Sequence, residues 1–228
     1  MRQATLRTIM VVMLCPAFAS ARAAVPADPL VDGKYGKAIS LKGSRKMILP
    51  VGDMSRTFPL TFEFWCRIDS TVSYNILLSQ APKYGAHWEI FTAPGGGAIT
   101  AYVPQISTTD NFGGGDSVAD GKWHYIALRF HERSLEIYTD GKLAVRKETK
   151  SPLVFDESPL YLGGIASDAF ACDGAIDELH ISRRADDLAG AVPTGPAQAT
   201  PTSVHLFHFD RVVNGTIPDD APGSTSVG

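Results

Sequence analysis

Cysteine is scarce: among 228 residues only Cys15, Cys66 and Cys172 carry a thiol. That excludes a small disulfide-stapled scaffold and the paired cysteines of a structural zinc ribbon. Basic runs are missing as well, and with them the positive footprint that nucleic acid or an anionic membrane surface requires. After Phe18 no apolar run approaches the roughly 20 residues that a membrane-crossing helix takes. Amphipathic helical periodicity is almost absent, Ala185–Leu188 being the best short candidate. The six histidines have no spacing suited to zinc, and no Ser or Cys stands in a nucleophile motif. Neither Gly95–Gly97 nor Gly113–Gly115 precedes a helix, so neither is a phosphate-binding loop.

What is present begins with residues 1–23, where Arg2 and Arg7 precede an apolar run from Ile9 to Phe18 and a small-residue site at Ala21-Arg22-Ala23. This is the pattern of a secretory signal peptide, so the mature chain is expected to be secreted, periplasmic or at the cell surface. Removing it takes away three Arg and no acid, which leaves 21 − 3 = 18 basic against 24 acidic residues, a net charge of −6. Cys66 and Cys172 then remain as the mature pair. In an oxidising compartment two such cysteines are expected to form a disulfide, the alternative being two buried thiols.

Short runs rich in β-branched and aromatic residues follow, separated by Gly, Pro, Asp or Asn. They predict strands at 37–41, 45–49, 60–68, 75–80, 87–92, 98–103, 123–131, 134–140, 143–147, 160–162 and 175–182, an all-β antiparallel sandwich. Residues 24–182 form the predicted domain, residues 183–203 read as an Ala/Pro/Thr-rich linker, and 204–228 as a strand-like tail that completes the sandwich or starts a further module.

Period-two alternation sorts the side chains. Phe62, Phe64, Cys66 and Ile68 take one face, the core, and Thr61, Glu63, Trp65 and Arg67 the other. In the hairpin around Gly95–Gly97, Trp88, Ile90, Ile99, Ala101 and Val103 point inward, leaving His87, Glu89, Phe91, Thr100 and Tyr102 opposite. Trp65, Arg67, His87, Glu89, Phe91 and Tyr102 therefore compose a candidate sugar platform, in which rings stack on apolar C–H faces while charged groups bond hydroxyls. The alternative is a secondary core covered by loops such as 104–119. Adjacent Asp177 and Glu178 should point to opposite faces, with Asp177 sharing the apolar side of Ala175, Leu179 and Ile181. Such a buried acid needs hydrogen bonds, a cation or a proton.

The stretch from Asp120 to Ala127, the strand Leu135–Lys142 behind it, and Gly174–Ser182 downstream together resemble the laminin-G-like branch of the concanavalin A-like lectin and glucanase folds. The resemblance implies a jelly-roll β-sandwich over residues 33–185 and a binding role. It further implies that Trp123 packs in the core, that His124 bonds neighbouring loops, and that Asp177 matches a position that holds a structural calcium with backbone carbonyls near Gly43 or Asp210. The glucanase branch places two or three carboxylates at alternate positions of one strand. Here Glu63 and Glu89 stand on separate strands and could act only by meeting across a sheet. The expected function is a secreted, non-catalytic recognition domain that binds a glycan or cell-surface polymer. The alternatives are a structural or adhesive module that contacts protein and, third, a glycoside hydrolase.

Overall fold

In the computed structural model the described residues are 29–52, 57–80, 85–155, 157–167 and 170–222. The proposed signal peptide with Cys15 lies outside them. Among the described residues fourteen strands form: β1 Leu30–Asp32, β2 Lys37–Ser40, β3 Met47–Leu49, β4 Leu60–Ile68, β5 Asn75–Gln80, β6 Trp88–Thr92, β7 Ile99–Tyr102, β8 Phe112–Gly114, β9 Trp123–His131, β10 Ser134–Thr139, β11 Lys142–Glu148, β12 Leu160–Leu162, β13 Gly174–Ser182 and β14 Ser203–Phe207. The described residues contain no helix, and the short one expected at 185–188 is irregular chain.

Two antiparallel sheets stack face to face. The larger has the order β1-β2-β13-β4-β9-β10-β11, with β14 also paired to β13; the smaller has the order β3-β12-β5-β6-β7-β8. The jelly-roll β-sandwich expected from the strand pattern is the fold found. Alternation explains the layers: Phe62, Phe64, Cys66 and Ile68 of β4 face Trp88 and Ile90 of β6 and Ile99 and Ala101 of β7 in one buried cluster. At its centre the Trp88 ring stands 5.2 Å from Phe62 and 5.3 Å from Phe130, and Nε1 donates to Gln80 Oε1 at 3.1 Å. The one polar atom of that indole is thus satisfied inside the core.

The turn between β10 and β11 holds Asp140 and Gly141 at φ 48° and 74°. Positive φ at both central residues is what a two-residue hairpin of right-handed twist demands, and Asp-Gly supplies it cheaply. Cys66 and Cys172 are both free thiols in the central cluster. The buried-thiol alternative therefore stands in place of the expected bond, and burial raises the pKa of each sulfur.

Residues 183–202 do not behave as a linker. They cross the outer face of the larger sheet as a strap and return as β14. Main-chain groups fasten the strap: the Arg184 carbonyl accepts from Thr61 Oγ1 at 2.9 Å, the Asp186 carbonyl from Arg129 Nη1 at 2.6 Å, and Gly190 N donates to the Gly141 carbonyl at 2.7 Å. Its apolar anchor is Leu188, buried against Trp65, Tyr125, Ala127 and Tyr138. A Pro- and Ala-rich segment reads as linker from composition because its hydrogen bonds go through the backbone, which composition does not reveal.

Candidate functional site

Alternation along β4 and β9 puts Glu63, Trp65 and Tyr125 on the outer face of the larger sheet, with Trp65 opposite Tyr125 in the register. On the neighbouring strand β13 that alternation breaks. Asp177 pairs with Trp65 and His180 with Glu63, so the register shifts between Asp177 and His180. Glu178, at φ 54°, is the residue in the left-handed region. This is a β-bulge, where two residues oppose one. Its consequence corrects the sequence reading: Asp177 lies on the outer side with Trp65, and Glu178 also reaches that side, while Leu179 and Ile181 stay in the core.

Between this face and the strap is a cavity of about 510 Å³ whose walls include Glu63, Trp65, Tyr125, Glu178, His180 and Arg184. Glu63, 6% exposed, is held from two sides. Its Oε1 accepts from the Tyr125 hydroxyl in a short bond and from Arg184 Nη1 at 2.8 Å. Burial, reinforced by the Glu63 charge, holds the Tyr125 hydroxyl well above the usual phenol range, so it serves as donor. His180 has Nδ1 at 3.9 Å from Glu63 Oε2 and its Nε2 at 2.7 Å from Ser203 Oγ. Burial lowers its pKa, leaving a neutral ring at pH 7. Glu178 Oε2 takes the Ala197 N–H of the strap and His208 Nδ1, each at 2.8 Å.

The six platform residues do not converge. Trp65 and Arg67 sit on the outer face of the larger sheet, whereas His87, Glu89, Phe91 and Tyr102 belong to the outer side of the smaller one, across the whole core. Trp65 itself is a cavity wall rather than an open stacking surface: Lys34 Nζ lies 4.3 Å from its ring centroid, and Tyr125 packs 5.5 Å away. Arg67 stands over Trp123 at 5.3 Å. On the other side His87 and Glu89 are buried beside each other, Nε2 to Oε2 3.5 Å. Phe91 packs with Ile76 and Ile165, next to Tyr102 and Phe170. There the cover comes from Gly163 to Ile165 and Phe170 rather than from 104–119: Gly163 N bonds the Leu77 carbonyl, and Ser79 Oγ donates to the Gly164 carbonyl at 2.9 Å. Glu63 and Glu89, the pair that glycoside hydrolysis would need to bring together, lie on opposite sides of the sandwich for the same reason.

Asp177 is fully buried, and its Oδ2 accepts the Tyr35 N–H at 2.9 Å. Burial pushes its pKa up to about 7 against the opposing bonds from the Tyr35 and Lys34 backbone. Gly33 lies so close that a Cβ there would stand 2.6 Å from Oδ2. Calcium calls for six to eight oxygen ligands. Oδ2 takes an N–H donor, Oδ1 is buried without a partner, and Asp210 is likewise bonded to the Lys37 N–H at 2.7 Å, a hydrogen-bonded staple of the β1–β2 turn. Among the described residues no group of three or more His, Cys, Asp or Glu could hold a metal ion.

Trp123 packs at the rim of the outer cluster and not in the core expected for it. His124 joins two turns, Nδ1 to Asp140 Oδ2 at 2.7 Å and Nε2 to Asp120 Oδ1 at 3.0 Å. The residues missed in the sequence are Tyr125, Glu178, His180 and Arg184. Tyr125 was findable from the alternation of β9. Glu178 was masked by the bulge, and Arg184 by its place in the apparent linker.

Several solved structures share this fold. Domain 4 of AbnA, a GH43 extracellular arabinanase from Geobacillus stearothermophilus solved with arabinotriose, is 21% identical and superposes with a TM-score of 0.52 over 67% of this chain and 73% of that one. A Bacteroides ovatus protein put forward as carbohydrate binding gives 0.61 at 14% identity, covering 82% of this chain and 56% of the other. The binding domain of Paraclostridial Mosquitocidal Protein 1 gives 0.53 at 16% identity over 70% and 43%. This chain thus spans less than two thirds of the latter two. No curated protein matches the sequence. No helix among the described residues is long and apolar enough to cross a membrane. A family profile described as the concanavalin A-like lectin/glucanases superfamily matches residues 41–187, more than half of the sequence, and the chain belongs to that superfamily.

Proposed function

We propose that the protein is an exported, non-catalytic recognition domain that binds carbohydrate, and that the ligand enters the cavity between the larger sheet and the strap. What carries this reading is the cavity itself: about 510 Å³, with the buried Glu63–Tyr125–Arg184 cluster next to the Trp65 wall. Small-ligand sites run from roughly 300 to 1,000 Å³ and combine apolar walls with a few fixed polar groups. Carboxylate and guanidinium groups held in place by their neighbours bond sugar hydroxyls with little loss of side-chain freedom. Kinship with folds that include an arabinanase domain solved with arabinotriose supports the ligand class.

The acids of the cavity are tied to partners, Glu63 to Arg184 and Tyr125, Asp186 to Arg184, Glu178 to His208 and the strap. That disposition suits holding a ligand better than shuttling its protons. Of the six platform residues this reading keeps Trp65 as a contact and assigns the others structural roles.

Isothermal titration of the whole chain with an array of neutral and charged oligosaccharides tests it. Glu63→Gln should weaken binding at least tenfold in a protein that still unfolds cooperatively, and Tyr102→Ala on the opposite face should leave it intact. The reverse pattern would move the site to the smaller sheet. Polysaccharide turnover lost in Glu63→Gln would make the protein an enzyme, and capture of a protein partner with no sugar signal would make it an adhesive module.

A further inference from the structure

The charge inside the cavity is unbalanced. Glu63, Glu178 and Asp186 line it, and Arg184 is the cation among the lining residues. That arginine is already engaged by two of the three acids, Nη1 to Glu63 Oε1 at 2.8 Å and Nε to Asp186 Oδ2 at 2.9 Å. His180 is neutral because burial disfavours its charged ring. His208 lies behind Glu178 and bonds its Oε2 at 2.8 Å; the Glu178 bond favours the charged ring. Among the lining residues three carboxylates thus face one guanidinium; His208 behind Glu178 and Lys34, 4.3 Å from the Trp65 ring centroid, are cations outside that lining.

A second observation is independent of that tally. Glu178 is 3% exposed, lines the cavity, and its Oε1 is buried without a hydrogen-bond partner. Its backbone also sits at φ 54°, a conformation costly for a residue with a side chain. A buried acceptor left unpaired is unfavourable, so a donor arriving from the cavity side is rewarded more than one that merely replaces water.

We propose that this cavity selects saccharides that bring hydrogen-bond donors and no negative charge, with Glu178 Oε1 receiving a ligand hydroxyl or ammonium, and that it rejects sugars bearing carboxylate or sulfate. The selection rests on the carbohydrate reading above. Its physical basis is the acid-lined wall of a partly enclosed cavity. A ligand anion placed among Glu63, Glu178 and Asp186 loses part of its hydration and meets like charges, with Arg184 already paired to two of them. A ligand hydroxyl loses less on entry and completes an open bond. An amine-bearing sugar gains a charge-assisted bond and should bind tighter than its neutral counterpart.

Calorimetric titration of the full chain with matched oligosaccharides that share one backbone in neutral, amine-bearing, carboxylated and sulfated forms provides the test. The neutral and amine-bearing forms should bind at least tenfold tighter than their acidic counterparts. Asp186→Asn removes an acid whose side chain is largely exposed and whose loss spares the core, so it should shrink that ratio several-fold in a protein that melts like the wild type. Glu178→Gln should lower affinity for the neutral form and leave the acidic form unchanged or improved. An acidic sugar that binds as tightly as its neutral counterpart, or a ratio unmoved by Asp186→Asn, overturns the charge selection while saccharide binding stands. If no member of the set binds, the carbohydrate reading fails and the selection with it.

Discussion

The two outer faces of the sandwich start from the same kind of alternating strand and finish differently. On the smaller sheet, Ile165 and Phe170 lay apolar side chains directly onto the strands, and Ile76, Phe91 and Ile165 close into a second buried cluster. On the larger sheet the strap is fastened mainly by main-chain carbonyls and N–H groups, with Leu188 as its buried anchor. Beyond Leu188 the strap carries Pro193, Pro196, Ala197 and Thr200, and the cavity lies between them and the sheet. A cover that packs with side chains seals; a cover hung from its backbone spans and leaves room.

The harshest way to break this comparison is to remove the cover's return path. Deleting residues 200–228 takes β14 away from β13 and strips Leu206, Phe207 and Phe209 from the core; the melting temperature should fall by roughly 10 °C or more. An unchanged melting curve would mean that the strap and β14 are dispensable to the sandwich. Single truncations then weigh the two covers against each other. Phe91→Ala on the sealed face should cost about 3–5 kcal/mol in urea unfolding, and Leu188→Ala on the spanned face about 2–3 kcal/mol. The second variant should also shift tryptophan emission to the red, because Leu188 packs on Trp65.

A pH experiment sharpens the comparison further. Asp177 titrates at about 7 in the fold and near its ordinary 3.8 when unfolded. Its folded-state pKa is raised, so the native state holds the proton more tightly. The stability this group contributes is complete below pH 4 and is lost as pH rises through 7. Asp177→Asn should flatten the pH dependence of the unfolding free energy across that window, by on the order of 2–4 kcal/mol between pH 4 and 8. An unaltered slope would show that the burial of this acid is relieved in solution. The smallest effect belongs to metal removal: excess EDTA should move the melting temperature by less than about 1 °C, since the Asp177 Oδ2 is already taken by the Tyr35 N–H.

Much of the architecture was legible. Strands β4, β5, β9 and β12 have the bounds that alternation and turn residues mark, and the inward set of β4, β6 and β7 is the core. Two strands escaped notice, β1 in a Pro- and Gly-rich opening and β8 within Phe112–Gly114, because three-residue pairings owe more to the neighbouring strand than to their own composition. The site was read less well, for three physical reasons. Alternation says which residues share a strand face, but not which strands share a sheet, and so Trp65 and Tyr102 were placed together across a core that separates them. Period-two logic presumes an unbroken register, and the bulge at Glu178 breaks it. Arg184 and its strap depend on long-range backbone bonds that leave no local pattern.

Glu178 joins three stretches of chain that are distant in sequence: its own strand, the strap through the Ala197 amide, and the segment after β14 through His208. The floor of the cavity and its roof therefore meet at this carboxylate. Whatever guest draws on that group must alter how firmly the Ala197 proton is held, so deuterium uptake at a single roof amide becomes a gauge of occupancy below it.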